Sequence, residues 1–344
     1  MSEHVRAAIA QVMRGGSLSA DEAHAAMAQV MEGEATPAQL AGLLLALRMR
    51  GEKVDELTGF ARAMRERVVA IHAPEGAIDT CGTGGDGSKT FNISTASALV
   101  VAATGVPVAK HGNRAMSSAT GSADVLEALG IPIDLTPEQA SRALATDGFA
   151  FLFAPSYHPA MKHAGPVRRE LGVPTAFNLL GPMTNPAGVR RQVIGVADPT
   201  VAAKVAHVLH HLGTERAFVV HGDGVDELPL DGTGVAYDVS AGGVRKRRID
   251  SSALGLEAAP SSDLRGGDAA LNASIIESIL RGETGPRRDV VLLNAGAALL
   301  VAGRVPTLRH GVHLAATTID GGRARAHLAR LRQPRAMPSV ESAA

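Results

Sequence analysis

The stretch DTCGTGGDGSKTFNIST, residues 79–95, decides the fold of this chain. Four glycines fall within the six positions 82–87, after a short apolar run typical of a strand. The small-residue run that follows, STASALVVAATG, predicts a helix over 94–105. Dense glycine lets a backbone fold tightly around an anion, and a helix N-terminus adds exposed amides and a favourable dipole. We therefore predict a strand, an anion-binding loop and a helix.

Two well-known glycine motifs do not fit this loop. GTGGDG matches the dinucleotide pattern G-x-G-x-x-G, but no acidic residue follows about 20 positions later to hold a ribose. GTGGDGSKT differs from a P-loop because Ser88 separates the last glycine from Lys89. A plain tight turn is the simpler alternative, but it would not need this many glycines.

Composition indicates an ordinary globular chain. The 344 residues are 45% hydrophobic and 20% charged, which suggests about two domains of roughly 150 residues each. Formal net charge is zero, tryptophan is absent and aromatic residues make up 3%, so a nucleic-acid surface is not expected. The basic run 244–250 is typical of a solvated turn or strand end. The single cysteine, Cys81, cannot form an intrachain disulfide and is expected to be a small buried side chain.

The sequence predicts no membrane association. The N-terminal residues carry early charges and lack the continuous apolar segment of a signal peptide. The apolar run 290–303 has 14 residues and contains Asn294, so a buried core segment is the better interpretation. We expect a cytoplasmic protein.

Residues 1–72 are predicted to form an all-helical domain. SADE at 19–22 and TPAQ at 36–39 are capping boxes, in which a hydroxyl and an acidic or amide side chain satisfy first-turn amides reciprocally. The segment 54–69 is amphipathic and predicts a further helix, capped by Asp55.

Residues 73–344 alternate between strand and helix patterns, which predicts a mainly parallel central sheet flanked by helices. The chain is therefore of the α/β class, with a small helical domain before a larger α/β domain. The segment 160–186 breaks this rhythm with proline and glycine, and we expect part of it to pack against the N-terminal helices. The predicted strands after the first are 106–112, 131–134, 149–155 and two further runs that begin at Arg191 and Glu215.

Three further polar loops accompany the first one, and ligands in open α/β sheets bind at the C-terminal ends of strands. KHGNRAMSS, residues 110–118, concentrates hydrogen-bond donors and two cations after a predicted strand. HGDGVDELPL contains Asp226 and Glu227, a pair suited to a hard cation such as Mg²⁺. GPVRRELG places Arg168 at the start of a predicted helix, where it could clamp a carboxylate. Each loop alone could be a solvated surface; the set favours a site.

Together these motifs identify a family. GTGGDGSKTFNIST, KHGNRAMSS, GSADVLEALG, FNLLGPMTNPAG and HGDGVDEL occur in the order seen in anthranilate phosphoribosyltransferases, and the resemblance covers nearly the whole chain. It implies transfer of a phosphoribosyl group from phosphoribosyl pyrophosphate (PRPP) to anthranilate in tryptophan biosynthesis. It also implies Mg²⁺, as two ions, and a homodimer formed through the helical domain.

The resemblance also implies site residues. Those expected to bind PRPP are Gly82, Gly85, Asp86, Thr90, Asn92, Ile93, Ser94, Thr95, Lys110, His111, Gly112, Asn113, Arg114, Ala115, Met116, Ser117, Ser118 and Ser122. Those expected to contact anthranilate are Gly82, Asn113 and Arg168, and those expected to bind the metal are Ser94, Asp226 and Glu227. Asp86 could accept hydrogen bonds from ribose hydroxyls or from metal-bound water.

The resemblance implies that catalysis depends on stabilisation of charge and on positioning of the two substrates. Lys110 and Mg²⁺ would stabilise the departing pyrophosphate, and no residue would serve as a catalytic acid or base. Two alternatives remain open at this point. A pyrimidine nucleoside phosphorylase shares the architecture and would not need the carboxylates of Asp226 and Glu227. A non-catalytic relative that binds nucleic acid would need a basic surface.

Overall fold

We analysed a computed structural model that describes residues 2–84, 87–115, 120–222 and 224–333. The N-terminal part is helical, as predicted. Both predicted capping boxes are confirmed, because Ser19 and Thr36 each accept a hydrogen bond from the amide three residues on. The four helices are α1 (Glu3–Met13), α2 (Ala20–Met31), α3 (Pro37–Arg50) and α4 (Val54–Arg65).

The predicted cap of α4 is wrong. Helix α4 begins at Val54, so Asp55 lies within the first turn and Lys53 occupies the cap position. The carboxylate of Glu56 accepts the Lys53 N–H at 2.8 Å and the Leu18 N–H at 2.9 Å. Glu56 is fully buried. A contact with the preceding loop therefore determines how this helix starts.

The α/β part contains one seven-stranded sheet within the described residues, with strand order β3-β2-β1-β4-β5-β6-β7. Neighbouring strands from β3 to β5 run parallel, whereas β6 and β7 pair antiparallel. The strands are β1 (Ile78–Gly82), β2 (Val108–Gly112), β3 (Phe149–Phe153), β4 (Arg191–Gly195), β5 (Arg216–His221), β6 (Val235–Ser240) and β7 (Gly243–Arg248). The predicted parallel sheet is confirmed, and residues 244–248 of the basic run lie in a solvent-facing edge strand.

Helices cover both faces of the sheet. One core lies between the sheet and α5, α12, α13, α14 and α15, and a second joins the opposite face to α11 and the N-terminal helices. A smaller third core lies between α7 and β3. Residues 290–301 of the predicted apolar run lie in α13, where all but Leu300 are buried. The helices after α4 are α5 (Ile93–Ala103), α6 (Ser122–Ala128), α7 (Pro137–Asp147), α8 (Ala154–Tyr157), α9 (Gly165–Leu171), α10 (Ala176–Leu180), α11 (Pro199–His211), α12 (Ala269–Leu280), α13 (Pro286–Val301), α14 (Leu308–Asp320) and α15 (Arg323–Leu331).

The predicted strand at 131–134 is absent from the structure. Ile131 and Ile133 are buried, as an alternating pattern requires, but the segment has no regular secondary structure. Pro132 lacks the N–H that a ladder needs. The alternation therefore reflects burial of side chains without strand pairing.

The segment between β3 and β4 returns to the N-terminal helices. Helix α9 contacts α3, and α10 contacts both α3 and α4. The Nε–H of Arg65 in α4 donates to the carbonyl of Met183 at 2.7 Å. These contacts agree with the expected packing of part of 160–186 against residues 1–72, and the division at residues 72 and 73 stays a prediction. Among the described residues, none of the helices has the length and apolarity to cross a bilayer.

Candidate active site

The central strands β1 and β4 end in glycines that lie side by side. Gly82 pairs with Gly195 in the parallel ladder, and the N–H of Thr83 donates to the carbonyl of Gly195 at 2.9 Å. Strand order reverses between these two strands, because β2 and β3 lie on one side of β1 and β4 and β5 on the other. Ligands of open α/β sheets bind in the crevice at such a position.

Asp226 closes this crevice from the loop after β5. Its Oδ2 accepts the N–H of Gly84 at 3.1 Å. A Cβ at Gly82 would lie 2.4 Å from Oδ2 of Asp226, and one at Gly195 would lie 1.6 Å from its carbonyl oxygen. Only glycine allows this approach at either position. The first and third predicted loops therefore meet, as expected for loops at the C-terminal ends of strands in one sheet.

Ser94, Lys110 and Glu227 gather beneath the same crevice. Lys110 is 1% exposed, and its ammonium donates to the carbonyl of Thr80 and, at 3.3 Å, to Oγ of Ser94. A small cavity beside them is lined by Ser94 and Glu227, with Thr80 and Cys81. Burial lowers the pKa of Lys110, while the nearby carboxylates, Glu227 and Asp226 among them, oppose that shift. The lysine charge thus lies directly next to the candidate metal ligands.

Burial raises the pKa of the Cys81 thiol, so a reactive thiolate is disfavoured there. Cys81 packs against an apolar core but is only partly buried, whereas a buried side chain was expected.

A pair of buried histidines connects β2 to the segment after β3. The Nε2 atoms of His111 and His158 are 3.2 Å apart, and Nδ1 of His111 lies 3.2 Å from the carbonyl of Gly181. Burial lowers the pKa of His111 to about 3 and that of His158 to about 4. Both rings are therefore neutral near pH 7, and they bring the segment that carries Arg168 to the end of β2.

The second predicted loop is held by Asp124. Its Oδ2 accepts the N–H of Ala115 at 3.0 Å and that of Gly121 at 2.9 Å. The guanidinium of Arg114 donates to Asp124 at 3.0 Å and to Glu127 at 2.9 Å. Arg114 is thus paired with carboxylates of α6.

Asn113 is exposed at the start of the same loop, and its carbonyl accepts the Ser122 hydroxyl at 3.4 Å. A Cβ at Gly112 would lie 2.3 Å from that hydroxyl, so these three residues are neighbours. The predicted residues Gly85, Asp86, Met116, Ser117 and Ser118 lie outside the described part of the chain.

Arg168 lies in α9, with its guanidinium 5.2 Å from the centre of the Phe177 ring. It is partly buried, and burial lowers its pKa. The stacking leaves the edge of the planar guanidinium available for a carboxylate. Arg168 lies on the segment between β3 and β4, and the histidine pair joins that segment to β2.

The first loop is anchored by a segment that the sequence analysis did not single out. Asn92 Oδ1 accepts from Nδ2 of Asn272 at 2.9 Å, while Asn92 Nδ2 donates to the carbonyl of Thr120 at 3.2 Å.

The same segment also pairs with the residues before α5, because Thr90 forms an isolated bridge with Arg265. Ile93 and Thr95, in the first turn of α5, are buried. The signal in the sequence was the glycine pair before α12: a Cβ at Gly266 would lie 2.7 Å from the Cα of Phe91.

The described residues contain no group of three or more His, Cys, Asp or Glu side chains arranged for a metal ion. The available donors are instead two carboxylates and one hydroxyl, from Asp226, Glu227 and Ser94. Mg²⁺ commonly uses one or two carboxylates and takes its other ligands from substrate phosphates and water. The donor set thus fits Mg²⁺ that arrives with a polyphosphate.

Comparison with known proteins identifies the family of this chain. Residues 6–68 match the model described as "Glycosyl transferase family, helical bundle domain", and residues 74–325 match "Glycosyl transferase family, a/b domain". The anthranilate phosphoribosyltransferase of Symbiobacterium thermophilum is 54% identical over 82% of this chain and 83% of its own length.

Two solved structures are similar throughout. The anthranilate phosphoribosyltransferase (TrpD) of Thermus thermophilus is 46% identical, with a TM-score of 0.89 over 94% of this chain and 98% of that one. The Saccharomyces cerevisiae enzyme in complex with PRPP and Mg is 25% identical, with a TM-score of 0.86 over 95% and 96%. The relatives, the order of the motifs and the contact between the glycine loop and the carboxylate loop all agree. The chain therefore belongs to the anthranilate phosphoribosyltransferase family.

Proposed function

We propose that this protein transfers the phosphoribosyl group of PRPP to the amine of anthranilate, giving N-(5-phosphoribosyl)anthranilate and pyrophosphate in tryptophan biosynthesis. One observation carries the proposal most directly: the glycine loop after β1 and the carboxylate loop after β5 meet at Gly82, Gly84 and Asp226. Backbone amides that can bind phosphate thus lie next to carboxylates that can bind a cation.

PRPP is assigned to the crevice between the glycine loop and the loop that follows β2. Amides around Gly82, the first turn of α5 at Ser94 and Thr95, and the polar groups from Lys110 to Ser122 supply donors suited to phosphates and ribose hydroxyls. Helix α5 has 11 residues and points its N-terminus at this loop. A helix N-terminus favours negative charge within its first turn.

Asp226, Glu227 and Ser94 would hold Mg²⁺, with two ions expected. The bound cation would neutralise charge that develops on the pyrophosphate as it leaves. Lys110 contributes a fixed positive charge from below, through its contact with Ser94 at 3.3 Å. The yeast relative was solved with PRPP and Mg, which supports this cofactor.

Anthranilate is assigned to the opposite wall, with its carboxylate at Arg168 and its amine at Asn113, near Gly82. The rings of His111 and His158 are neutral near pH 7, so they would add no charge beside the carboxylate if this wall extends to them. Arg168 is suited to the carboxylate because a guanidinium can form two parallel hydrogen bonds.

The proposed chemistry needs no strong general base. The bond from ribose C1′ to pyrophosphate breaks, an oxocarbenium-like transition state forms, and the aniline nitrogen attacks C1′ and then loses its proton. Positioning of two reactants and stabilisation of separated charge supply the rate enhancement. Water must be kept from C1′, which favours a site enclosed between the two parts of the molecule.

The primary test is the fluorescence of anthranilate, which should fall only when purified protein, PRPP and Mg²⁺ are all present. Chelation of the metal should abolish the loss. Substitution of both Asp226 and Glu227 by Ala should reduce turnover by about 100-fold or more while the chain stays folded. Phosphorolysis of thymidine or uridine, or a gel shift with nucleic acid at moderate salt, would instead support one of the alternatives.

We further propose a cytoplasmic homodimer formed through the helical part. Large apolar side chains are exposed on α1 and α3, with Met13 at 74%, Met49 at 88% and Leu45 at 38% exposure. These two helices contact each other, so the three side chains lie on adjacent helices. Exposed apolar groups rimmed by polar residues are typical of protein interfaces.

A further inference from the structure

Asp79 in β1 is a fully buried carboxylate with no role in the reaction described above. Its Oδ1 accepts the backbone N–H of His111 at 3.2 Å, and its Oδ2 accepts Nδ2 of Asn185 at 2.8 Å. Both of these partners are donors and the Cys81 thiol also bonds to the carboxylate, so the ionised form fits this environment.

Asn185 extends the connection. Its Nδ2 also donates to the carbonyl of Ala109 at 2.8 Å, and its Oδ1 accepts the N–H of Ala187 at 2.8 Å. Asn185 is 6% exposed, so its amide bonds have little competition from water. One carboxylate and one amide therefore join β1, β2 and the loop before β4.

These hydrogen bonds lie where the backbone pairing between β1 and β2 stops. Strands β1 and β4 form five residue pairs up to Gly82 and Gly195, whereas β1 and β2 are in register at one pair, Ile78 and Val108. Beyond that pair, side chains join the two strands: Asp79 bonds to β2, and the Lys110 ammonium bonds back to the Thr80 carbonyl. The separation of these strand ends thus depends on side chains.

Charge favours the same arrangement. Burial raises the pKa of Asp79 and lowers that of Lys110, and each opposes the shift of the other. A buried charge is tolerated when an opposite charge and hydrogen bonds compensate for lost water. The hydrogen bonds from His111 and Asn185 supply part of that compensation for Asp79.

We propose that Asp79 and Asn185 are positioning residues for phosphoribosyl transfer, because they fix the ends of β1 and β2 so that Lys110 and Ser94 hold one arrangement beneath the pyrophosphate. The inference rests on the proposed function. It predicts a defect in turnover that exceeds any defect in substrate binding, since neither residue is assigned to a substrate.

The test compares variants of nearly unchanged size. Asp79→Asn replaces one acceptor by an amide that faces the amide of Asn185, and Asn185→Asp sets two carboxylates against each other. Each should lower kcat by about tenfold or more and change KM for anthranilate by less than about threefold. The double variant Asp79→Asn/Asn185→Asp restores a carboxylate–amide bond and should recover part of the lost kcat.

The matched control is Asp238→Asn in β6 of the same sheet. Asp238 is 8% exposed and pairs with Arg247 at 2.9 Å, three strands away from β1. Its kcat should stay near that of the wild type. All assays are run well below the melting temperature of each variant.

The outcomes separate this inference from the proposed function. A wild-type protein that does not consume anthranilate refutes the proposed function, and the inference with it. An active wild type combined with normal kcat in Asp79→Asn refutes the inference alone, as does a double variant no better than either single one. Should Asp79→Asn not fold, Asn185→Ala decides, because it keeps the carboxylate: reduced kcat supports positioning and normal kcat refutes it.

Discussion

At the residue scale, Gly82 is the position where added volume has the most direct chemical consequence. A Cβ there would lie 2.4 Å from Oδ2 of Asp226, a distance that forces the carboxylate to move. That carboxylate also orders the loop through the N–H of Gly84. The absent side chain at Gly82 thus determines where the proposed metal ligand lies.

Gly82→Ala should therefore lower kcat/KM for PRPP by about tenfold or more, which corresponds to about 1.4 kcal/mol of transition-state stabilisation. The half-saturating Mg²⁺ concentration should rise in the same variant. Steady-state kinetics across a Mg²⁺ titration provide the measurement. Gly42→Ala in α3 is the control, since a Cβ there meets only Ile9 at 3.9 Å. Normal Mg²⁺ dependence in Gly82→Ala would contradict the assignment of Asp226.

The buried histidine pair predicts how stability depends on pH. The pKa of His111 is about 3 and that of His158 about 4 when folded, both below the ordinary value of 6.5. As pH falls, the unfolded chain therefore binds protons at a higher pH than the folded protein does. The folded protein has the full stability contributed by the neutral rings above pH 6.5 and loses it as pH falls toward 3. At pH 5 one such ring lowers the free energy of unfolding by about 2 kcal/mol.

Urea unfolding at pH 7.5 and pH 5.0 measures this loss. His158→Gln removes one of the two rings, so its free energy of unfolding should fall less between these pH values than that of the wild type. His4→Gln, at an exposed position in α1, should keep the wild-type dependence. An unchanged dependence in His158→Gln would show that acid destabilisation has another source.

At the scale of elements, the loop of residues 88–92 depends on the start of α12. Asn272 is 2% exposed and satisfies both Asn92 and the N–H of Gly267. Removal of its amide leaves two part-buried groups unpaired, each at a cost of at most roughly 1–3 kcal/mol, the value for a fully buried group. The loop would lose the contact that holds Asn92 toward the proposed PRPP site.

Asn272→Ala should consequently raise KM for PRPP by about fivefold or more and leave KM for anthranilate less affected. Ser274→Ala, an exposed position in the same helix, controls for changes in helix propensity. Initial rates with each substrate varied in turn distinguish the two constants. Equal increases in both would indicate general loosening of the site.

The elements also show what a sequence can predict. The boxes at Ser19 and Thr36 are confirmed because their partners lie three residues away, so local pattern determines them. The predicted cap of α4, Asp55, was wrong, because Glu56 takes part in the start of the helix and also bonds to Leu18, 38 residues earlier. The strand at 131–134 was wrong because alternation reports burial, and strand membership needs a partner in the ladder.

The site follows the same division. Strand-end loops at Gly82, Lys110 and Asp226 could be identified from residue type and position, and the first and third of them meet in the structure. Asp79 and Asn272 could not be identified, because their partners lie 106 and 180 residues away. A polar residue inside a strand or helix has no distinctive pattern until the packing that buries it is known. The contacts between loop and ligand stay predictions.

At the scale of the whole molecule, the helical part has two different surfaces. Helices α3 and α4 contact α9 and α10, so one surface serves the segment that carries Arg168. The exposed apolar side chains of α1 and α3 lie on the same small helical unit. A dimer formed there would brace the helices that support the proposed acceptor site, which links assembly to catalysis.

Met49→Lys tests the proposed interface, on which this link depends. Met49 is 88% exposed, so lysine should not affect the folded monomer, but it would place a charge within a buried apolar interface. Light scattering after size exclusion should give twice the chain mass of 35.3 kDa for the wild type and the monomer mass for the variant. Lys246→Ala on the exposed strand β7 should remain dimeric. If Met49→Lys keeps the dimer mass at micromolar concentration, the interface lies elsewhere. The exposure of Met13, Leu45 and Met49 then needs another explanation.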